Sequence, residues 1–288
     1  MIHYGKLLTI CAFHPNVWGT TAFTIKGPMA LTRQITTNAK SGSVVLHSIS
    51  PAEAQQADDG PLDANIWSMG PAATLQGNTL KTWQLGVEST KRVQLSIKGN
   101  GRPLDANVEL WHTPSYIPTK MKVYTEDSSL RPVNTVIETP KHPNTVAVFN
   151  TGSMEFPFSA CVAETGLASA YSSLSATGPG ERVQGGRIVS YTFDSSVESV
   201  QVLLKTDERN MKATIELTQG PNQVKQIFDI YASSGYKNPF YAVIETPGSG
   251  NVIRVINGNT VEFPFDAWVQ PYKTGSAGNE SDPVIGGL

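Results

Sequence analysis

Short runs in which apolar residues alternate with polar ones recur along the chain: VQLSIK at 93–98, VELW at 108–111, MKVYT at 121–125 and TVAVF at 145–149. A period of two over four to six residues puts the apolar side chains on one face of an extended segment, which is how a strand with one buried face reads. The same plan returns as VQVLLK at 200–205, TIEL at 214–217, IFDIY at 227–231 and NVIRVI at 251–256. Between these runs lie KGNGRP at 98–103, HTPS at 112–115, TPKHPN at 139–144, QGPN at 219–222 and TPGSGN at 246–251. Their Gly, Pro and Asn supply the backbone angles that tight turns need. A helical period is lacking, apart from one short turn expected within residues 167–174. The pattern predicts an all-β protein of sandwich-like construction.

The two sets of strands are copies of one another. VIETP at 136–140 and EFPF at 155–158 return as VIETP at 243–247 and EFPF at 262–265. The offset of 107 residues holds without a gap from Val93/Val200 to Val162/Val269, with 24 identities in those 70 positions. Further upstream the register slips by one, so that Gly70-Pro71 matches Gly178-Pro179 and Gln76-Gly77 matches Gln184-Gly185. The expected organisation is therefore two tandem homologous β-sandwich-like domains, residues 62–162 and 176–269, with a linker at 163–175 and a flexible tail at 270–288. The proline of VIETP fixes φ and removes a donor, so its strand should end at Pro140 and Pro247 or lie at a sheet edge. In EFPF the rings stand two residues apart and are expected to face the same way. Phe156, Phe158, Phe263 and Phe265 are thus the candidate core aromatics.

Composition narrows the class. With 39% hydrophobic residues in 288, the chain has apolar material for two cores, and at 16% charged and net charge −2 it shows no basic run that would draw nucleic acid or an anionic membrane. No stretch reaches the roughly 18 to 20 apolar residues of a membrane span. The first 52 residues carry Lys6, Lys26, Arg33 and Lys40 and no acidic side chain; without them 18 basic residues face 24 acidic ones, a net of −6. An acid-free start with a short apolar stretch, LLTICAF, and an Ala22-Phe23 junction reads as a plastid-targeting presequence over residues 1–52. Of the two cysteines, Cys11 falls in that segment, which leaves Cys161 without an internal partner. Cys161 reads as a core-facing residue.

The search for chemistry finds little. There is no G-x-S-x-G, H-E-x-x-H, C-x-x-C or phosphate-cradling loop. His112 and His142 sit in turns, and the second copy has Gln219 and Ser249 in their places. The repeated carboxylates Glu138/Glu245 and Glu155/Glu262 are candidates for an acid–base pair or a calcium site. The favoured reading is that they are outward strand residues that keep a sheet soluble. No catalytic residue, metal ligand or cofactor site is assigned, and the pattern points to a protein whose surface geometry is its function.

Three phrases carry a resemblance: GRPLDANVELWHTP at 101–114, KMKVYTED at 120–127 and RPVNTVIETPKHPNTVAVFNTGSMEFPF at 131–158. They resemble the pyrenoid shell proteins of algae with red-lineage complex plastids, and the likeness extends over about residues 62–269. The second copy departs from it, reading MKATIELTQGP at 211–221 where the first reads LDANVELWHTP. The resemblance implies a structural protein, not an enzyme, that assembles with itself into a lattice around the pyrenoid. Other shell proteins and the Rubisco matrix are the further partners it implies. It also implies a place in the chloroplast stroma at the pyrenoid periphery and a role in carbon concentration.

A subunit that tiles a plane needs contacts that do not close on themselves, and two similar but unequal copies can supply them. Trp111, opposite Thr218, and Trp268, opposite Cys161, are candidate asymmetric contacts; ordinary core or rim packing is the other reading. The apolar tip of the tail, Val284, Ile285 and Leu288, is a candidate for docking on a neighbouring subunit. The alternative function is a monomeric tandem β-sandwich that binds a carbohydrate or a peptide, and a weaker one is a metal-dependent hydrolase using the repeated glutamates.

Overall fold

The structure is a computed structural model that describes residues 62, 66–86, 91–112, 115–164, 168–220 and 223–275. The expected presequence over residues 1–52 and the tail tip with Val284, Ile285 and Leu288 lie outside the described residues. The first copy supplies β1 (Ala72–Leu75), β2 (Leu80–Leu85), β3 (Arg92–Lys98), β4 (Leu104–His112), β5 (Tyr116–Thr125), β6 (Val133–Glu138), β7 (Asn144–Asn150) and β8 (Phe158–Glu164). The second supplies β9 (Glu181–Val183), β10 (Ile188–Thr192), β11 (Val197–Lys205), β12 (Met211–Gln219), β13 (Val224–Ala232), β14 (Phe240–Glu245), β15 (Asn251–Asn257) and β16 (Phe265–Thr274). A short helix α1 (Ile66–Met69) precedes the first set and α2 (Ala168–Ala176) joins the two.

These strands make two eight-stranded antiparallel sheets. Sheet A has the order β1-β8-β3-β6-β14-β11-β16-β9, and sheet B the order β10-β15-β12-β13-β5-β4-β7-β2. Each order reads as its own mirror when a strand is exchanged for its copy, so the chain has a pseudo-twofold axis through the middle of both sheets. The joints lie on that axis. In sheet A, Thr135 pairs with Ala242 and is flanked by Val136↔Tyr241 and Asn134↔Val243. In sheet B, Lys122 faces its own counterpart Asp229, with Tyr124↔Ile227 and Lys120↔Tyr231 on either side.

The sandwich-like copies are present, but they are fused. One cluster of buried side chains runs through both, with Leu95, Val108 and Val148 from the first and Val202, Ile215 and Val255 from the second. A single continuous core replaces the two that composition allowed. The physical reason is the edge problem: a half-sandwich ending at β5 and β6 would leave two rows of unpaired backbone groups, and the other copy satisfies them. Side chains reinforce the joint: Thr135 Oγ1 donates to the Tyr241 carbonyl at 2.8 Å, and Gln226 Nε2 donates to Thr125 Oγ1 at 2.9 Å.

VIETP does not lie at an edge, since β6 and β14 are the innermost strands of sheet A; of the two alternatives its strand takes the first and ends before the proline. The ladder runs one hydrogen bond past β6 and β14, with Thr139 N–H donating to the Lys91 carbonyl and Thr246 N–H to that of Glu198, both at 2.8 Å, and the proline that follows has no N–H to extend it. Nor is EFPF a strand throughout. β8 and β16 begin at the second phenylalanine, and the first half is a turn. Phe158 and Phe265 are buried in the core, whereas Phe156 and Phe263 are half-buried at its margin, each 5.8 Å from the guanidinium carbon of an arginine, Arg102 or Arg209. A turn lacks the period-two geometry that would have sent both rings inward.

What fixes that turn is a buried asparagine kept in both copies. Asn150 Nδ2 donates to the carbonyls of Leu75 and Phe156, while its Oδ1 accepts from Gly152 N–H. Asn257 does the same with Val183, Phe263 and Asn259. Each ties an outer strand of sheet A to the crossing between sheets.

Candidate assembly surfaces

The two outer faces differ. In sheet B most strands alternate, as in the buried–half-buried pattern of β4 and β15, so its outer face is largely open to solvent. It carries interleaved charge and is hollowed at the joint into an open depression of about 570 Å³ lined by Glu109, Lys120, Lys212 and Asp229, with Lys120 bonded to Glu109 at 3.3 Å, Arg254 to Glu216 at 3.1 Å, and Asp229 accepting from Thr214 Oγ1 at 2.8 Å. In sheet A the central strands are buried on both faces, β14 along five successive residues. Leu174 of α2 covers Leu203, Tyr241 and Val243, while Ile66 of α1 covers Cys161 and Ala163. One face is therefore a bare sheet and the other is covered by connecting segments.

The sequence candidates fall on both faces. Trp111 stands half-buried on the outer face of sheet B, its Nε1 donating to Glu109 Oε2 at 2.7 Å; its counterpart Thr218 bonds only to the Val252 carbonyl, at 3.4 Å. Trp268 packs with Leu203, Tyr241 and Leu174 on the outer face of sheet A, and its Nε1 donates to the Gly178 carbonyl at 2.8 Å. A Cβ on Gly180 would lie 2.8 Å from the indole, so only glycine lets the segment after α2 cross this ring. Trp268 thus holds the connecting segment down. Its counterpart Cys161 leaves room for α1 instead, its Sγ donating to the Ile66 carbonyl at 3.3 Å. Burial pushes the Cys161 thiol up, away from the thiolate a nucleophile needs.

The repeated glutamates do not converge. Glu138 and Glu245 lie at opposite ends of the antiparallel β6–β14 pair. Burial raises the pKa of Glu138, opposed by its ion pair with Arg92. Burial also raises that of Glu245, with Lys273 opposing and Glu198 adding to the effect. Glu155 and Glu262 are exposed at the tips of the EFPF turns. Among the described residues no group of three or more His, Cys, Asp and Glu side chains could hold a metal ion, and no helix is long and apolar enough to cross a membrane. A 20 Å³ cavity lies between the sheets at the joint, lined by Val108, Met121, Thr135 and Phe240, with room for about one water.

Sequence reasoning missed an exposed apolar set that the duplication preserves. Met154 and Val261, 74% and 70% exposed, stand at the same place on the two EFPF turns. Leu80 and Ile188, 50% and 48% exposed, open the two edge strands of sheet B, β2 and β10. The signal was in the alignment: position 80 matches 188 in the upstream register and 154 matches 261 in the downstream one, apolar in both copies. Period two assigned them to no face because they lie outside the alternating runs.

The model of the family described as "Diatom pyrenoid shell protein" matches residues 67–271, and the chain belongs to that family. Its role is accordingly a structural one in the pyrenoid of the plastid, and the family is not a known enzyme family. No curated protein matches the chain. Among solved structures, the PBSX exported protein XepA is 10% identical with a TM-score of 0.25, covering 69% of this chain and 85% of that one. Vicilin from Corylus avellana (hazelnut) is 9% identical with a TM-score of 0.20, covering 69% and 76%. Scores of this size carry no argument about function.

Proposed function

We propose that the chain is a self-assembling subunit of a protein lattice that encloses the pyrenoid at its periphery in the chloroplast stroma and supports carbon concentration around Rubisco. The observation that supports this reading best is the pairing of family membership with a pseudo-twofold body. Such a body offers similar groups toward both ends and different surfaces on its two faces. A closed shell needs both properties: ends that propagate, and an inside distinguishable from an outside. The bare charged face of sheet B and the covered face of sheet A supply the distinction. Other shell proteins of the same family are the natural co-assembly partners, and the Rubisco matrix would meet one of the two faces.

The test is direct. Tagged in its native cell, the protein should outline the pyrenoid as a rim, and the purified chain should form sheets or tubes in negative stain. A diffuse signal outside the plastid would sink the reading. A clean monomer at every concentration would return the chain to the alternative of a carbohydrate- or peptide-binding module.

A further inference from the structure

Sheet B has two free edges, and they are built unlike the edges of sheet A. In sheet A the outermost strands are β1, of four residues, and β9, of three, two of which are the charged Glu181 and Arg182. Short, charged strands are how proteins protect an edge from pairing. In sheet B the outermost strands are β2, LKTWQL, and β10, IVSYT, of six and five residues. Between them they carry one charge, Lys81, no proline and no register shift against the strand inside, β7 or β15. Among the described residues nothing pairs with their outer sides. Each opens on a half-exposed apolar side chain, Leu80 or Ile188.

We infer that β2 of one copy of this chain pairs antiparallel with β10 of the next, so that sheet B runs on from subunit to subunit. This rests on the shell reading and names the contact that would propagate it. The topology supports it. Seven successive antiparallel pairings lead from β10 to β2, so the two edges run in opposite directions. A neighbour displaced sideways, without being turned over, therefore brings an antiparallel edge to an antiparallel edge and keeps the same face outward. The chain already uses this contact internally: β5 and β13, one strand from each copy, join the halves in this way. β2 and β10 are the matched pair of that sheet whose outer sides stay unpaired among the described residues. The contact is heterologous and does not close, so it yields a strip whose bare face is continuous.

The experiment uses the full chain with Cys11→Ser; Cys161 is buried. Thr82→Cys and Ser190→Cys place thiols at exposed positions on the outer face of the two edges, and a short bis-maleimide is added after assembly. Cross-linked dimers should form when the two variants are mixed and not with either alone. Dimers from Thr82→Cys alone would overturn the pairing of unlike edges. Sheets without any cross-link would overturn edge pairing while leaving the shell reading intact; a wild-type chain that forms no sheets would remove both. Independently, Thr82→Lys and Ser190→Lys, at exposed sites that leave melting unchanged, should each raise the assembly threshold about tenfold or more. An unchanged threshold in both would also overturn the inference.

Discussion

Asn257→Ala offers the sharpest test of whether the two copies form one folding unit. The side chain is 1% exposed and makes three hydrogen bonds, to the Val183 and Phe263 carbonyls at 2.9 Å and from Asn259 N–H at 3.0 Å. The bond to Val183 is buried, so alanine leaves that carbonyl without a partner, which costs about 1 to 3 kcal/mol. The other two are partly accessible to water and contribute about 0.5 to 1.5 kcal/mol each, for a sum of about 2 to 6 kcal/mol. At 1.4 kcal/mol per factor of ten, even the lower bound speeds exchange through global unfolding by about 25-fold. Hydrogen exchange with mass spectrometry on the full chain reads this in peptides from β7 and β15 separately. Because one core spans both copies, the slowest amides in both should accelerate by the same factor. Asn150→Ala, at the matching position, should give the same result. Acceleration confined to residues 176–275 would refute the argument, since it would mean the halves unfold independently despite their shared sheets.

Phe265→Ala, in the core, should lower stability by about 3 to 5 kcal/mol in urea denaturation, and Phe263→Ala, half-buried beside Arg209, by clearly less; equal losses would mean that the turn geometry of EFPF is wrong. Glu245 has its pKa raised above 4.5 by burial, so the folded state binds more protons than the unfolded one between 4.5 and that raised value. Its contribution therefore improves as pH falls from neutral through that window, and Glu245→Gln should be more stable at pH 7 with a smaller gain on acidification; an unchanged pH profile would contradict this. Deleting residues 282–288 should raise the assembly threshold in sedimentation about 5- to 150-fold, the effect of about 1 to 3 kcal/mol per docked tip; an unchanged threshold would leave the tail without a part in assembly.

The strand plan was legible in the sequence because a half-buried strand must alternate and a turn must break, and both leave local marks. β4, β5, β7, β12, β13 and β15 lie where the alternating runs place them. The duplication was equally plain, as identity at a fixed offset does not depend on folding. The fates of Phe156 and Phe263 were not legible, because whether EFPF is strand or turn depends on Asn150 and Asn257, which reach it across the chain's return between sheets. Trp268 and Cys161 looked like a surface difference, yet which segment lies over each is a matter of the space above sheet A, and α1 and α2 fill it differently. The joining of the copies was hidden for a related reason. Strands β5, β6, β13 and β14 read the same as edges or as centres of a sheet, since pairing partners are chosen through the backbone, which every sequence shares. Only the tertiary structure decides which edges are consumed inside the chain and which, like β2 and β10, are left over.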